Sequence, residues 1–352
     1  MFAYVGSFTT PDRNGRGSGI EVYRVDRADG ALAHVQTLGD LENPSFLAVS
    51  RDQLFLYAVH GGRDYATAYA LDAATGRATP LNRASTGGNN GVRQDFDAEG
   101  RFMVVANYVA GNVSVLAIGP DGRLADHHEV LWLGGQLGPH RTEQARPQPH
   151  DVAFDPTRRF VAIPDKGLDT IFVLSFDAQK GRLSLHRRVA SRAGAGPRHI
   201  AFHPTLPYAY ACNEIDSTVT AFAWNASEGE LTPLQVLSSL PEDWFAPNTT
   251  SELAFGAGGR ALYCSNRGHD SIVTYAIDPA SGRLCTVGWT KTGGAEPRFI
   301  GADPSGRFLY AANQNSDDIV VFAIDPDKGA LSPTGARIAT ASPVTIAFAG
   351  RF

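Results

Sequence analysis

Along nearly its whole length the chain alternates apolar and polar positions with a period of two, in short runs rich in Val, Ile, Phe and Tyr that are broken by Gly, Asp, Asn and Pro. Such runs predict β-strands with one face buried, and no window sustains the 3.6-residue stripe of an amphipathic helix. The runs recur in groups. PHDVAFDPTRRFVAIPDKGLDTIFVLSFD, PRHIAFHPTLPYAYACNEIDSTVTAFAWN, TSELAFGAGGRALYCSNRGHDSIVTYAID and PRFIGADPSGRFLYAANQNSDDIVVFAID are the clearest copies of one pattern. In register, the copies start at Pro44, Gly91, Pro149, Pro197, Thr250, Pro297 and Pro343, at intervals of 47, 58, 48, 53, 47 and 46 residues. Each reads as an apolar run, a D-P-x-x-R or G-R turn, a second run such as FLYAAN, a polar turn, a third run, and a fourth strand opened by G-x-L. Four-stranded antiparallel units at about 40–50 residues predict an all-β, seven-bladed β-propeller. It spans residues 1–352 as a single domain.

The last start, Pro343, leaves room for one strand only. FAYVGS at the N-terminus matches the second strand of a unit, GIEVYRV the third and ALAHVQTLG the fourth. The closing blade is therefore expected to join three N-terminal strands to one C-terminal strand, which hides the sheet edges an open ring exposes.

Composition narrows the function. A hydrophobic fraction of 43% excludes a disordered chain, and a net charge of −5 excludes an electrostatic nucleic-acid footprint. The N-terminus has no basic and apolar leader, and no apolar run approaches the ~20 residues of a membrane span, so cytoplasmic residence without membrane contact is expected. Cys212, Cys264 and Cys285 form no C-x-x-C and are expected as buried thiols.

In a meander the start of the first strand and the end of the second lie at the same end of the channel, so two rows of residues define one rim. After the repeat starts come Ser45, Val92, His150, Arg198, Ser251, Arg298 and Val344, then Phe46, Arg93, Asp151, His199, Glu252, Phe299 and Thr345. The second strands end on His60, Asn107, Asp165, Asn213, Asn266, Asn313 and Ser7, succeeded by Gly61, Tyr108, Lys166, Glu214, Arg267, Gln314 and Phe8. Blade-forming repetition asks for similar residues in each row, yet the third to fifth units place His150, Asp165, Lys166, Arg198, His199, Glu214, Asn266 and Arg267 there. That mixture suits an anionic small molecule held by Arg, with His or Glu accepting a proton. Glu252, Arg298, Gln314 and His60 complete the expected substrate-contacting set; the alternative for each residue is a strand-end cap. Two long connections, containing GGQLGPHRTEQARPQ and LPEDWFAPNT, are expected over the same rim. There Trp244 and Phe245 either wall a pocket or anchor their own loop.

Other signals carry less. GAGAGPRH is glycine-rich but opens a strand, so it lacks the helix N-terminus that holds phosphate. His199 and His203 are four apart, roughly 13 Å on a strand at about 3.3 Å per residue. No metal site and no cofactor are called for.

The blocks GAGPRHIAFHP, YACNEIDSTVT and LYCSNRGHDSIVTYAID, with PHDVAFDPTRRFVAIPDKGLDTI upstream, resemble the seven-bladed β-propeller lactonases, which include bacterial 6-phosphogluconolactonases and the fungal 3-carboxy-cis,cis-muconate lactonizing enzyme. The resemblance implies a metal-independent site whose His, two Arg and Glu fall on His150, Arg198, Arg267 and Glu214. The chain departs from the family in having Gln148 where a His is frequent, and GVRQDF at the second-blade start. The activity that the resemblance implies is hydrolysis of a small anionic sugar-acid lactone: His150 or Glu214 takes a proton from water while Arg198 or Arg267 neutralises the carbonyl oxygen or grips an anionic group. Cycloisomerisation of a carboxymuconate and a non-catalytic binding platform are the alternatives. The protein is expected as a monomer or weak homo-oligomer.

Overall fold

The Val-, Ile- and Tyr-rich runs form 28 strands in a computed structural model that describes residues 1–350. Arg351 and Phe352, the end of the expected 1–352 span, lie outside the described residues. The strands make seven antiparallel sheets of four, six of them in sequential order and the seventh pairing the last strand with the first three. Blades 1 to 6 begin at the strands Pro44–Val49, Gly91–Phe96, Ala153–Phe154, Pro197–Phe202, Thr249–Gly256 and Pro297–Ala302. Blade 7 closes the ring as expected: Pro343–Ala349 pairs with Phe2–Ser7, and Ile20–Val25 and Leu32–Leu38 complete the sheet.

First strands of neighbouring blades touch around the axis. Between blades the inward faces interdigitate; Tyr210, Cys212 and Val219 of blade 4, for example, meet Leu262, Cys264 and Val273 of blade 5. Cys212 and Cys264 are buried as expected, but Cys285 is exposed. It lies on the outermost strand of blade 5, Leu284–Lys291, most of whose residues are exposed.

A tyrosine at the third position of the second strand pegs one blade to the next. Tyr4, Tyr57, Tyr210, Tyr263 and Tyr310 donate their hydroxyls to the backbone oxygens of Gly76, Gly122, Gly282, Gly329 and Gly30, at 2.7–3.0 Å. Blades 2 and 3 carry Val104 and Ala162 at that position. There imidazoles reach the equivalent turns, His128 Nε2 lying 2.8 Å from the Gly181 oxygen and His186 Nε2 2.7 Å from the Glu228 oxygen.

Just after each repeat start the ladder slips by one residue. Pro197 faces Asn213, but His199 faces Cys212, so Arg198 is extra. The same slip occurs in the other six blades, in blade 3 between the Pro149–Asp165 bridge and the Ala153–Ala162 pair. Such a bulge re-aims side chains that strict alternation would send to opposite faces. In blade 4 it lets both Arg198 and His199 face the channel mouth.

Candidate functional site

The bulged residues and those just beyond the second strands surround a cavity of about 190 Å³ at one channel mouth. Glu214, immediately after Tyr208–Asn213, is its electrostatic centre. Glu214 Oε2 lies 2.7 Å from Arg198 Nε and 3.3 Å from Arg267 Nη2, and Oε1 lies 3.0 Å from Lys166 Nζ. Burial alone would raise the Glu214 pKa, but Arg267, Lys166 and Arg198 together outweigh it and hold the carboxylate well below its ordinary range. Lys166 is raised despite its burial, chiefly by Glu214. It also meets Glu143, from the long connection ahead of blade 3, at 2.7 Å.

Arg198 is buried, donates to the Ser251 backbone oxygen and lies 3.0 Å from His199 Nε2. Arg is always a donor, so that nitrogen accepts and His199 Nδ1 carries the proton, 2.8 Å from Glu252 Oε1. Glu252 Oε2 in turn meets Arg93 Nη1 at 3.0 Å, and Arg93 Nε meets Asp151 at 3.0 Å. The GVRQDF segment thus supplies the cation that links two buried carboxylates. Burial, with Arg198 and Arg93 nearby, keeps His199 neutral, its pKa well below the ordinary value. His199 is a brace for Arg198, with both ring nitrogens engaged.

His150 is differently placed. Its ring sits 5.2 Å from those of Tyr108 and His199, Nδ1 is enclosed without a partner, and Nε2 makes no hydrogen bond among the described residues. Burial first, then Arg198, holds its pKa well below the ordinary value, so the imidazole is neutral.

Of the residues singled out in the sequence, His150, Arg198, His199, Glu214, Glu252, Arg267 and Arg298 line this cavity. Asp165, Lys166, Asn266, Gln314 and His60 do not. Alternation along the second strand explains three of them, because its last residue points into the blade while the next faces the mouth. There the Asn266 amide donates to Ser271 and the Ser239 backbone oxygen, and His60 spans the Glu42 oxygen and the Thr67 hydroxyl. Asp165 Oδ1 accepts the N–H groups of Gln148, Gly167 and Leu168, fixing the turn that carries His150. Lys166 pairs with Glu214, and the backbone oxygen of the half-buried Gln314 accepts a hydrogen bond from Arg16. Trp244 is no pocket wall: it packs 4.7 Å from the His269 ring under its own loop, and Phe245 is exposed.

GAGAGPRH makes a tight entry to blade 4 in which the Asp169 carboxylate accepts the N–H groups of Gly194 and Gly196. Gly196 has φ of 64°, and a Cβ there would press on Ile215, so glycine is required. His203, at the far end of its strand from His199, bonds the Gly259 oxygen. Phe8 and Tyr108 line the cavity too and stand in the same row as Glu214 and Arg267, so period-two reasoning reaches them. Arg13 and Asn90 come from connecting segments, where no spacing rule points to the channel. Among the described residues no cluster of three or more His, Cys, Asp or Glu is arranged to hold a metal ion, and no helix is long and apolar enough to cross a membrane.

Known proteins resemble this chain end to end. The 6-phosphogluconolactonase of Bacillus subtilis (strain 168) is 32% identical over 304 residues, covering 86% of this chain and 85% of the relative. The 6-phosphogluconolactonase of Formosa agariphila is 30% identical, covering 86% of each. The solved structure of a periplasmic gluconolactonase from Pseudomonas aeruginosa superposes with a TM-score of 0.91 at 31% identity, covering 99% of both chains. The profile of the family described as "Lactonase, 7-bladed beta-propeller" matches residues 2–348, and the chain therefore belongs to the seven-bladed β-propeller lactonase family.

Proposed function

We propose that the protein hydrolyses a sugar-acid lactone to the open-chain acid, with His150 as the base. The observation that carries this reading is a neutral imidazole with an open nitrogen, in one enclosed cavity with two guanidiniums anchored by a single carboxylate. Water attacks the lactone carbonyl carbon as His150 Nε2 takes its proton. The tetrahedral oxyanion is met by N–H groups of Arg198 and Arg267; the ring C–O bond then breaks and the proton returns to the leaving ring oxygen. Glu214 is the anchor in this scheme. With its oxygens already engaged by three cations, this carboxylate fixes both guanidiniums before substrate arrives. His199, through Glu252, fixes Arg198 from the other side.

The substrate named for the Bacillus relative, and the gluconolactone of the Pseudomonas neighbour, set the test panel. Fresh 6-phosphogluconolactone, gluconolactone, glucarolactone and carboxymuconate are assayed, each corrected for spontaneous reaction. Turnover of at least one lactone that survives EDTA is expected. Wild-type protein that opens none of them, or that acts only on the muconate, overturns the hydrolytic reading. Cytoplasmic residence belongs to this proposal as well, and cell fractionation tests it against the periplasmic location in the Pseudomonas neighbour's name.

A further inference from the structure

The guanidiniums around the cavity fall into two groups. Arg198 and Arg267 share Glu214, with Glu296 3.7 Å from Arg267, and Arg93 is held between Asp151 and Glu252. On the side of blades 6 and 7 stand Arg298 and Arg13, and neither has a carboxylate partner among the described residues. Both lie over one ring: the guanidinium carbon of Arg298 is 5.1 Å from the Phe8 centroid and that of Arg13 is 5.6 Å away. Arg13 Nη2 also donates to Asn90 Oδ1 at 3.1 Å, which fixes its fork toward the cavity wall. Keeping two cations beside each other on an aromatic platform, near further guanidiniums, costs stability in the free protein, and a bound anion offsets that cost. The strain registers on Arg298, whose pKa burial and the nearby Arg198 and Arg267 push down to about 9. Both carboxylates lining the cavity, Glu214 and Glu252, are already committed elsewhere.

We infer that Arg298 and Arg13, stacked on Phe8, bind an anionic substituent of the lactone, a phosphate monoester or a carboxylate, away from the carbonyl that His150 and Arg198 address. This rests on the lactonase reading of the same cavity and adds to it the residues that select for a charged end of the lactone, remote from the reacting carbonyl. The planar forks suit an oxyanion with several acceptor oxygens better than a lone hydroxyl.

The test compares wild type with Arg298→Ala, Arg298→Lys and Arg13→Ala, each checked for an unchanged melting transition. Substrates are 6-phosphogluconolactone, glucarolactone and neutral gluconolactone. Arg298→Ala is expected to lower the ratio of kcat/KM on the charged lactones to that on the neutral one by about tenfold or more, mainly through KM, and Arg298→Lys to recover part of it. A larger loss on the phosphorylated lactone identifies phosphate as the group bound; a larger loss on the aldarolactone identifies carboxylate. Equal losses on charged and neutral lactones overturn the inference while leaving the hydrolytic reading intact. If wild type opens no lactone, that reading fails, and calorimetric binding of inorganic phosphate decides the subsite by itself. Binding weakened about tenfold in Arg298→Ala supports it, and binding that is absent or equal in both proteins overturns it.

Discussion

Asp165 carries a buried carboxyl whose two oxygens are treated unequally: Oδ1 accepts three backbone N–H groups, whereas Oδ2 is enclosed with no partner. Burial pushes its pKa up to about 7, against those hydrogen bonds, which act to lower it. In the unfolded chain the group titrates near 3.8. Between those values the folded protein binds the extra proton, so this group's contribution to stability is fully present below the unfolded pKa and is lost as pH rises through the folded one. Asp165→Asn keeps an acceptor at Oδ1 and removes the titration. Its melting temperature relative to wild type is expected to rise between about pH 4 and about pH 8. Thermal melts across that range check this; a difference that stays constant with pH contradicts it. The rim rows made Asp165 look like a substrate ligand because a carboxylate stands where other blades have Asn. Its burial, and the turn it holds for His150, depend on the pleat at one position, which the row does not encode.

At the scale of elements, the tyrosine pegs account for a feature that recurs in the sequence without declaring its purpose. FLYAVH, YAYACN, ALYCSN, FLYAAN and FAYVGS all carry Tyr third, and the receiving turns all carry the Gly of G-x-L or its equivalent. Both halves were legible as strand and turn. Their pairing was not, since donor and acceptor lie 65 residues or more apart and belong to different blades, with 280 residues between Tyr310 and Gly30. Tyr263→Phe leaves the buried Gly329 oxygen without its donor at 2.7 Å and is expected to cost about 1–2 kcal/mol, a fall of a few degrees in Tm. Calorimetry checks this, and an unchanged Tm would show that the peg contributes nothing net. The repeated bulge is the other element-level device. Arithmetic on the repeat starts located the residues it presents, but one-residue register slips leave no mark in an alternation pattern, so only the strand ladder shows why His199 stands beside Arg198 in the same cavity.

On the scale of the whole molecule, blade count, blade order and closure by Phe2–Ser7 against Pro343–Ala349 came from periodicity alone, because a ring of near-identical units repeats its signal. The site breaks that repetition: it needs one blade to supply His150, the next to supply Arg198 and Glu214, and the next Arg267, all on one mouth. Topology predicted that convergence. What it left open was which group is the base, since that depends on how charge is distributed through the cavity. In the proposed mechanism Glu214, tied to three cations, anchors, and the neutral His150 takes the proton. The most direct test is the turnover number of His150→Ala, verified as folded by its melting transition, on the lactone that wild type opens fastest. A loss of roughly a hundredfold or more is predicted, as expected for removal of a general base. Wild-type turnover in that variant would contradict the account and move the proton transfer to another group on the rim.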